Sequence, residues 1–304
     1  MPELPEVEVI RRGLNAVLPG KAITGIEVLE QRSFPTFDLE TEKRIIGSVF
    51  QEVRRRGKLL IIVLKSSARE EALLVHLRMT GQLVYRGPST GQGGFAGGYP
   101  SQSLVSGLPD KHTHVVFSLD DGSRLYFNDQ RKFGYLKLIA LSDIDQDDFL
   151  HHLGIEPLDG SFTWQALRAA LQGKAKNPAQ AKASPMSVKA ALLDQKRIAG
   201  IGNIYADESL FRAGIDPRRS LASLKVGDYR RLQAAIRECL NQSIIDGGST
   251  SRNYVDSFGL RGEYLDLHAA VYGRSGQACP RCGKPITKIR LAGRGTHLCE
   301  HCQR

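Results

Sequence analysis

After Pro5 the apolar positions Val7, Ile10, Leu14 and Val17 recur at helical spacing, with proline suited to a first turn and Gly20 past the end. This predicts an opening helix of about three turns. Short β-branched and aromatic runs follow at 22–29, 58–65, 72–77, 82–85, 114–119, 124–127 and 135–139, and Asp120-Asp121-Gly122 marks a hairpin turn between two of them. The pattern implies an antiparallel sandwich or barrel carrying an N-terminal helix. Farther along, the period becomes helical. Helices are predicted over 163–171, over 186–196 opened by Ser184-Pro185, over 203–213, and from about 228 to 245. In the last, Tyr229, Leu232, Ile236, Leu240 and Ile244 make one apolar stripe, read as core.

The breaks divide the chain. Residues 86–110 hold seven glycines and three prolines, too few apolar groups to bury, and read as a flexible surface insertion. A Lys-rich segment at 174–182 reads as a second peripheral insertion. The acidic stretch 142–148 and the segment HHLGIEPLDG after it suggest a linker, which gives domains at 1–145 and 162–272, a linker at 146–161 and a C-terminal unit at 273–304.

Length and charge narrow the function. The chain has 304 residues, 41% hydrophobic and 24% charged, room for about two domains of ordinary globular composition. The longest apolar run, 59–64, is far short of the roughly 20 residues of a membrane span. The opening MPELPEVEVIRR lacks a secretory order, so a cytoplasmic, reducing compartment is expected. Residues 1–173 carry net charge −1 and residues 174–304 carry +11. A basic half of this kind suits a polyanion, since each neutralised phosphate releases counterions.

Three motifs carry chemistry. Cys279 and Cys282, then Cys299 and Cys302, form two CxxC pairs sixteen residues apart, the spacing of a zinc ribbon. Four thiolates close a tetrahedral site, so one structural Zn²⁺ is expected. From Gly273 onward seven basic residues face only Glu300, so the ribbon is expected to present cations, Arg294 among them, to nucleic acid. The turn Gly200-Ile201-Gly202-Asn203 can bring backbone amides of a helix start near a phosphate. If Met1 is removed, Pro2 supplies a free secondary amine titrating near 8, able to attack a sugar C1′. Glu3 adjoins it as a proton donor to the ring oxygen, and Glu6, one turn on, could orient the site.

The opening MPELPEVEVIRRGL resembles that of bacterial formamidopyrimidine-DNA glycosylases, and further blocks agree in order. These are Arg56-Gly57-Lys58-Leu59-Leu60, His76-Leu77-Arg78-Met79-Thr80-Gly81, Asn128-Asp129-Gln130-Arg131-Lys132-Phe133-Gly134, the stretch from Leu192 to Glu208, and the cysteine tail. The resemblance implies an α+β multidomain fold: an N-terminal helix plus antiparallel β-sandwich, then a helix-two-turn-helix domain and a C-terminal zinc ribbon. It implies Pro2 as Schiff-base nucleophile, Glu3 as proton donor at the sugar, Lys58 as proton donor in β-elimination, and Arg294 in δ-elimination and phosphate binding. By the same correspondence His112, Arg131, Lys189 and Asn203 bind DNA around the lesion. Met79, Arg131 and Phe133 would fill the gap left by an everted nucleotide, where apolar wedges restore stacking. Residues 246–264 resemble the family's lesion-covering loop. Lys132 stands where the family pattern has arginine, which keeps charge but loses bidentate geometry.

The function so implied is a bifunctional glycosylase and AP lyase of base excision repair that acts on double-stranded DNA containing oxidised purines, as a monomer associated with the nucleoid. One rival is an endonuclease VIII-like enzyme for oxidised pyrimidines, disfavoured by ELPEVE after Met1 and by the Met79, Arg131, Phe133 set. Another is a non-catalytic zinc-ribbon protein that binds damaged DNA, which leaves the Pro2-Glu3 arrangement without purpose.

Overall fold

The opening helix α1 (Leu4–Val17) starts one residue before Pro5 and runs 14 residues, with Glu3 as its extended N-cap. It belongs to a computed structural model that describes residues 2–87, the backbone of 94–98, and residues 107–172, 186–249 and 262–304. The chain divides into two compact units, Met1–His151 with Asp246–Glu263, and His152–Ile245 with Tyr264–Arg304.

In the first unit α1 is followed by β1 (Ile23–Val28), α2 (Leu39–Ile45), β2 (Val49–Arg56), β3 (Leu59–Lys65), β4 (Glu70–His76), β5 (Gly81–Arg86), β6 (Gly94–Gly98), β7 (Thr113–Leu119), β8 (Arg124–Asp129), β9 (Tyr135–Ala140) and α3 (Asp148–His151). Two antiparallel sheets form, in the orders β1-β7-β8-β5-β6 and β2-β3-β4-β9. Ile26, Phe117, Leu125 and Leu83 of one sheet share a single core with Phe50, Leu60, Leu73 and Leu136 of the other, and Val7, Ile10 and Leu14 bring α1 into it. The fold is therefore a sandwich rather than a barrel. The run 59–64 is buried on both faces. Leu60, Ile62 and Leu64 point to the main core, and Leu59 and Ile61 to a second cluster with Leu74 and Phe149. Sheet packing on one side and covering helices on the other explain why no alternation appears in it.

Two strands depart from the expected pattern. In β2 only Phe50 and Val53 are buried, and a register shift between Phe50 and Glu52 breaks the alternation that would reveal a strand. The insertion expected to be only a flexible surface segment contributes β6, antiparallel to β5 at the sheet edge. A ladder needs only backbone donors and acceptors, which glycines supply. The rest of that insertion, 88–93 and 99–106, lies outside the described residues.

The second unit contains α4 (Trp164–Gln172), α5 (Val188–Leu193), α6 (Asn203–Ala213), α7 (Val226–Ile245), α8 (Tyr264–His268) and the hairpin β10 (Thr287–Leu291) and β11 (Arg294–Leu298). The stripe Tyr229, Leu232, Ile236, Leu240 and Ile244 is buried, as expected of core. Helix α5 is shorter than predicted. Its cap is Ser187, whose Oγ accepts from Ala190 N at 3.3 Å, and the Lys-rich segment with Ser184 and Pro185 falls outside the described residues. Part of the expected linker is stitched into this unit, since Gly154 N donates to Gln195 O at 2.8 Å and Ile155 pairs in parallel with Ile198.

Candidate active site

Pro2 is buried, and the helix it precedes is fastened by carboxylates. The Glu3 N–H donates to Glu6 Oε2 at 2.7 Å, half of a reciprocal capping box that satisfies helix-start donors. Glu3 and Glu6 are only 4% and 2% exposed. The second oxygen of Glu6, Oε1, accepts both the N–H and the hydroxyl of Ser249, each at 2.8 Å. Glu6 thus fixes the backbone next to Pro2 on one side and Ser249 on the other. Ser249 lies in the segment 246–264 expected to be a lesion-covering loop, of which residues 250–261 lie outside the described residues. Its stem is closed by an antiparallel bridge between Ser249 and Glu263, and Gly262 passes so near Gly248 that a Cβ would sit 2.4 Å from the carbonyl oxygen.

Lys58 sits in the turn between β2 and β3, 7% exposed, after Gly57 in the left-handed conformation (φ +56°). Nearby, His76 at the end of β4 pairs with Leu59. Burial, with the charges of Arg78 and Lys58, pulls its imidazole down to about 3. Its Nδ1 accepts the Arg78 N–H at 3.1 Å.

Met79, Arg131 and Phe133, the residues expected to fill the gap, meet in one exposed cluster. Met79 is 40% and Phe133 55% exposed, Arg131 Nη1 lies 3.0 Å from Met79 Sδ, and its guanidinium stands 4.8 Å from the Phe133 ring centre. Asp129, which no sequence motif singles out for this task, organises them. Fully buried, it accepts from Arg131 N at 3.1 Å, Phe133 N at 2.9 Å, Gly134 N at 2.6 Å and the Thr80 hydroxyl. The available signal was a carboxylate followed by turn residues. Lys132, left-handed at φ +55°, pairs with Glu30. His112 is partly buried beside this loop, its carbonyl accepting Asp129 N at 2.9 Å.

Lys189, predicted to bind DNA, is fully buried, with its ammonium on Asp207 Oδ1 at 2.6 Å, Thr296 Oγ1 at 2.7 Å and Gly295 O at 3.1 Å. An ammonium so enclosed braces the β10–β11 hairpin. Asn203 opens α6 and donates to the same Gly295 carbonyl at 2.9 Å, while Asp207 Oδ2 accepts His297 N at 2.9 Å. Gln195 shapes the preceding turn, accepting Gly200 N at 2.9 Å and donating to Ile201 O at 2.8 Å. Arg294 is exposed at the start of β11, just past Ala292 and Gly293, both left-handed as a two-residue hairpin loop requires.

The four tail sulfurs lie within 4.8 Å of one another, with Cys279 to Cys302 at 3.8 Å and Cys282 to Cys299 at 3.6 Å. Tetrahedral bonds of about 2.3 Å to zinc would set thiolates about 3.8 Å apart, whereas a disulfide needs about 2.05 Å. The donor set therefore fits one tetrahedral metal with no open position. Cys279 and Cys299 pack with Phe211, Val271 and Ile286, so the ribbon has a small core of its own on α6. Cys239 of α7 is remote in sequence and buried, and burial pushes its thiol up to about 11.

Three family models match the chain: the formamidopyrimidine-DNA glycosylase N-terminal domain over residues 1–136, the H2TH domain of the same glycosylase over 153–255, and the zinc finger found in FPG and IleRS over 276–304. Among curated relatives, the formamidopyrimidine-DNA glycosylase of Pelotomaculum thermopropionicum is 41% identical, with 100% of this chain and 99% of that protein covered. That of Moorella thermoacetica is 43% identical over 95% of each. Among solved structures, Lactococcus lactis Fpg with DNA containing an abasic site superposes with a TM-score of 0.82 at 33% identity over 99% of both chains. The wild-type enzyme with DNA containing N7-benzyl-Fapy-dG gives 0.82 and 33% over 100% of both. The chain belongs to the formamidopyrimidine-DNA glycosylase family.

Proposed function

We propose that this protein removes oxidised purines, 8-oxoguanine and formamidopyrimidines, from duplex DNA and then cleaves the strand as an AP lyase, working as a monomer in the nucleoid. The observation that carries this is the buried Pro2-Glu3 start of α1, locked by Glu6. With Met1 removed, the Pro2 nitrogen attacks C1′ and the C1′–N bond to the base breaks, the base leaving with the electron pair. Glu3 protonates the ring oxygen, the sugar opens, and an iminium joins Pro2 to C1′. The iminium withdraws electrons, a C2′ proton is lost, and the 3′ phosphate departs, Lys58 supplying a proton in this step. A second elimination releases the 5′ phosphate with Arg294 on its oxygens, and water then frees the Pro2 amine.

The Met79, Arg131 and Phe133 cluster supports eversion of a nucleotide from duplex DNA, since its exposed apolar groups flank a donor able to meet the orphaned base. The ribbon cysteines would hold Zn²⁺, which supplies folding energy to the ribbon and takes no part in the chemistry.

The test incubates the protein with duplexes containing either 8-oxoguanine opposite cytosine or an oxidised pyrimidine, then adds borohydride. A covalent adduct on the purine duplex, abolished in protein whose Pro2 nitrogen is acetylated and in protein retaining Met1, is expected. An adduct that persists without the Pro2 amine would overturn the mechanism, and preferential trapping on the pyrimidine duplex would overturn the substrate.

A further inference from the structure

Glu8 lies on α1 five residues beyond Glu3, on the helix that carries the nucleophile. Its carboxylate is enclosed by three arginines. Oε1 takes Arg11 Nη2 and Arg12 Nε, each at 2.9 Å, and Oε2 takes Arg55 Nε at 3.0 Å. Burial raises its pKa, but the Arg11, Arg55 and Arg12 contacts outweigh that and hold it below the usual carboxylate value. Arg11 and Arg12 belong to α1 itself, whereas Arg55 comes from β2 and is nearly enclosed, its side chain 6% exposed. The same guanidinium uses Nη1 to donate to the Gly57 carbonyl at 2.9 Å.

That carbonyl shares a peptide plane with the Lys58 nitrogen, so fixing it fixes the direction in which the Lys58 side chain leaves the turn. Gly57 is left-handed there, and because glycine moves readily between conformations, the Arg55 contact is what holds its carbonyl in this one. We propose that Arg55 is a positioning residue that sets the Lys58 ammonium relative to the Pro2 amine, its planar fork joining Glu8 of the nucleophile's helix to the peptide before Lys58. This rests on the roles given above to Pro2 and Lys58. Lysine cannot substitute, because one ammonium on a flexible stem does not span both acceptors in a fixed geometry. Displacement of a reacting group by about 1 Å costs on the order of 100-fold in rate.

Two steps of the reaction should separate. Arg55→Lys leaves the Glu3 and Glu6 contacts at Pro2 intact, so on a duplex with a preformed abasic site the Schiff base still forms. Elimination, which needs Lys58, slows. In single-turnover time courses the ratio of borohydride-trapped adduct to cleaved strand should rise about 10-fold over that of the unaltered protein. Glu8→Gln breaks the helix end of the same bridge and should raise the ratio likewise, which covers failure of the first variant to fold. A ratio unchanged in both variants, whether the two products fall together or not at all, overturns the proposal, since a merely structural arginine would lower both alike. Absence of any Pro2-dependent adduct in the unaltered protein is a distinct result that would overturn the reading of the site beneath it.

Discussion

Glu6 and Ser249 are 243 positions apart, yet one carboxylate oxygen accepts both the amide and the hydroxyl of Ser249 at 2.8 Å while the other holds Glu3 N at 2.7 Å. The start of α1 and the stem of the segment 246–264 therefore share one buried acceptor. Ser249→Ala removes the hydroxyl donor and should cost about 1 kcal/mol in stability. Glu6→Gln turns one acceptor oxygen into an NH₂ that faces donors, and should cut borohydride trapping by about 100-fold or more. Equal trapping in Glu6→Gln and the unaltered protein would show that this carboxylate does not hold the Pro2 end of α1 in place for the reaction.

Asp129 predicts a separation of lesion handling from chemistry. Asp129→Asn exchanges an acceptor-only group for one with an NH₂ directed at backbone donors, and should loosen the Met79, Arg131, Phe133 cluster at a cost of about 2 kcal/mol. Excision of 8-oxoguanine should fall by about 10-fold or more, whereas cleavage at a preformed abasic site should change by less than about threefold. Single-turnover kinetics on the two duplexes check this.

Lys189 and Arg294 should differ in their salt dependence. Lys189→Met strands Asp207 as a buried charge and should destabilise the protein by about 3–5 kcal/mol. Because its ammonium is enclosed, the slope of log affinity for duplex DNA against log salt should stay unchanged. Arg294→Ala should keep stability and lower that slope by about 0.9. Fluorescence anisotropy at several salt concentrations, with a thermal melt beside it, gives both readings.

Removal of metal should act on the ribbon. Chelation, or Cys299→Ser, takes away what holds a small core around Cys279, Ile286 and Phe211, and DNA affinity should fall with it. Metal analysis should find one zinc per chain in the intact protein. Affinity unchanged in metal-free protein would remove the ribbon from the binding surface.

His76 predicts a pH dependence. Its pKa is lowered from an ordinary value of 6.5 to about 3, so its contribution is complete above about pH 6.5 and is lost progressively as pH falls toward 3, where the unfolded chain binds a proton that the native one refuses. Between pH 7 and pH 5 the protein should lose about 2 kcal/mol more than His76→Asn does. Urea midpoints at the two pH values measure the difference.

The legible parts of the fold were those set by local pattern. The amphipathic spacing of α1 and α7, the apolar run of β3 and the Asp120-Asp121-Gly122 turn each carry their own period or turn residue, and the structure has an element at each. β2 was hidden because its bulge interrupts alternation and its exposed positions are charged. β6 was hidden because glycine carries no side-chain period, although its backbone can still complete a sheet edge.

At the site, residue types and short spacing singled out Pro2, Glu3 and the four cysteines, and the block Arg56 to Leu60 shared with the family singled out Lys58. Burial and long-range pairing belong to tertiary structure alone. Lysine looks alike in sequence whether it faces phosphate or a buried aspartate, so only the packing of α5, α6 and β11 shows that Lys189 braces the hairpin behind Arg294. Likewise, no local signal joins Glu6 to Ser249 or Glu8 to Arg55 and Gly57. Those hydrogen bonds exist because two sheets and α1 close on one core, and the segment at Ser249 returns to the start of α1, bringing distant polar groups to where water no longer satisfies them.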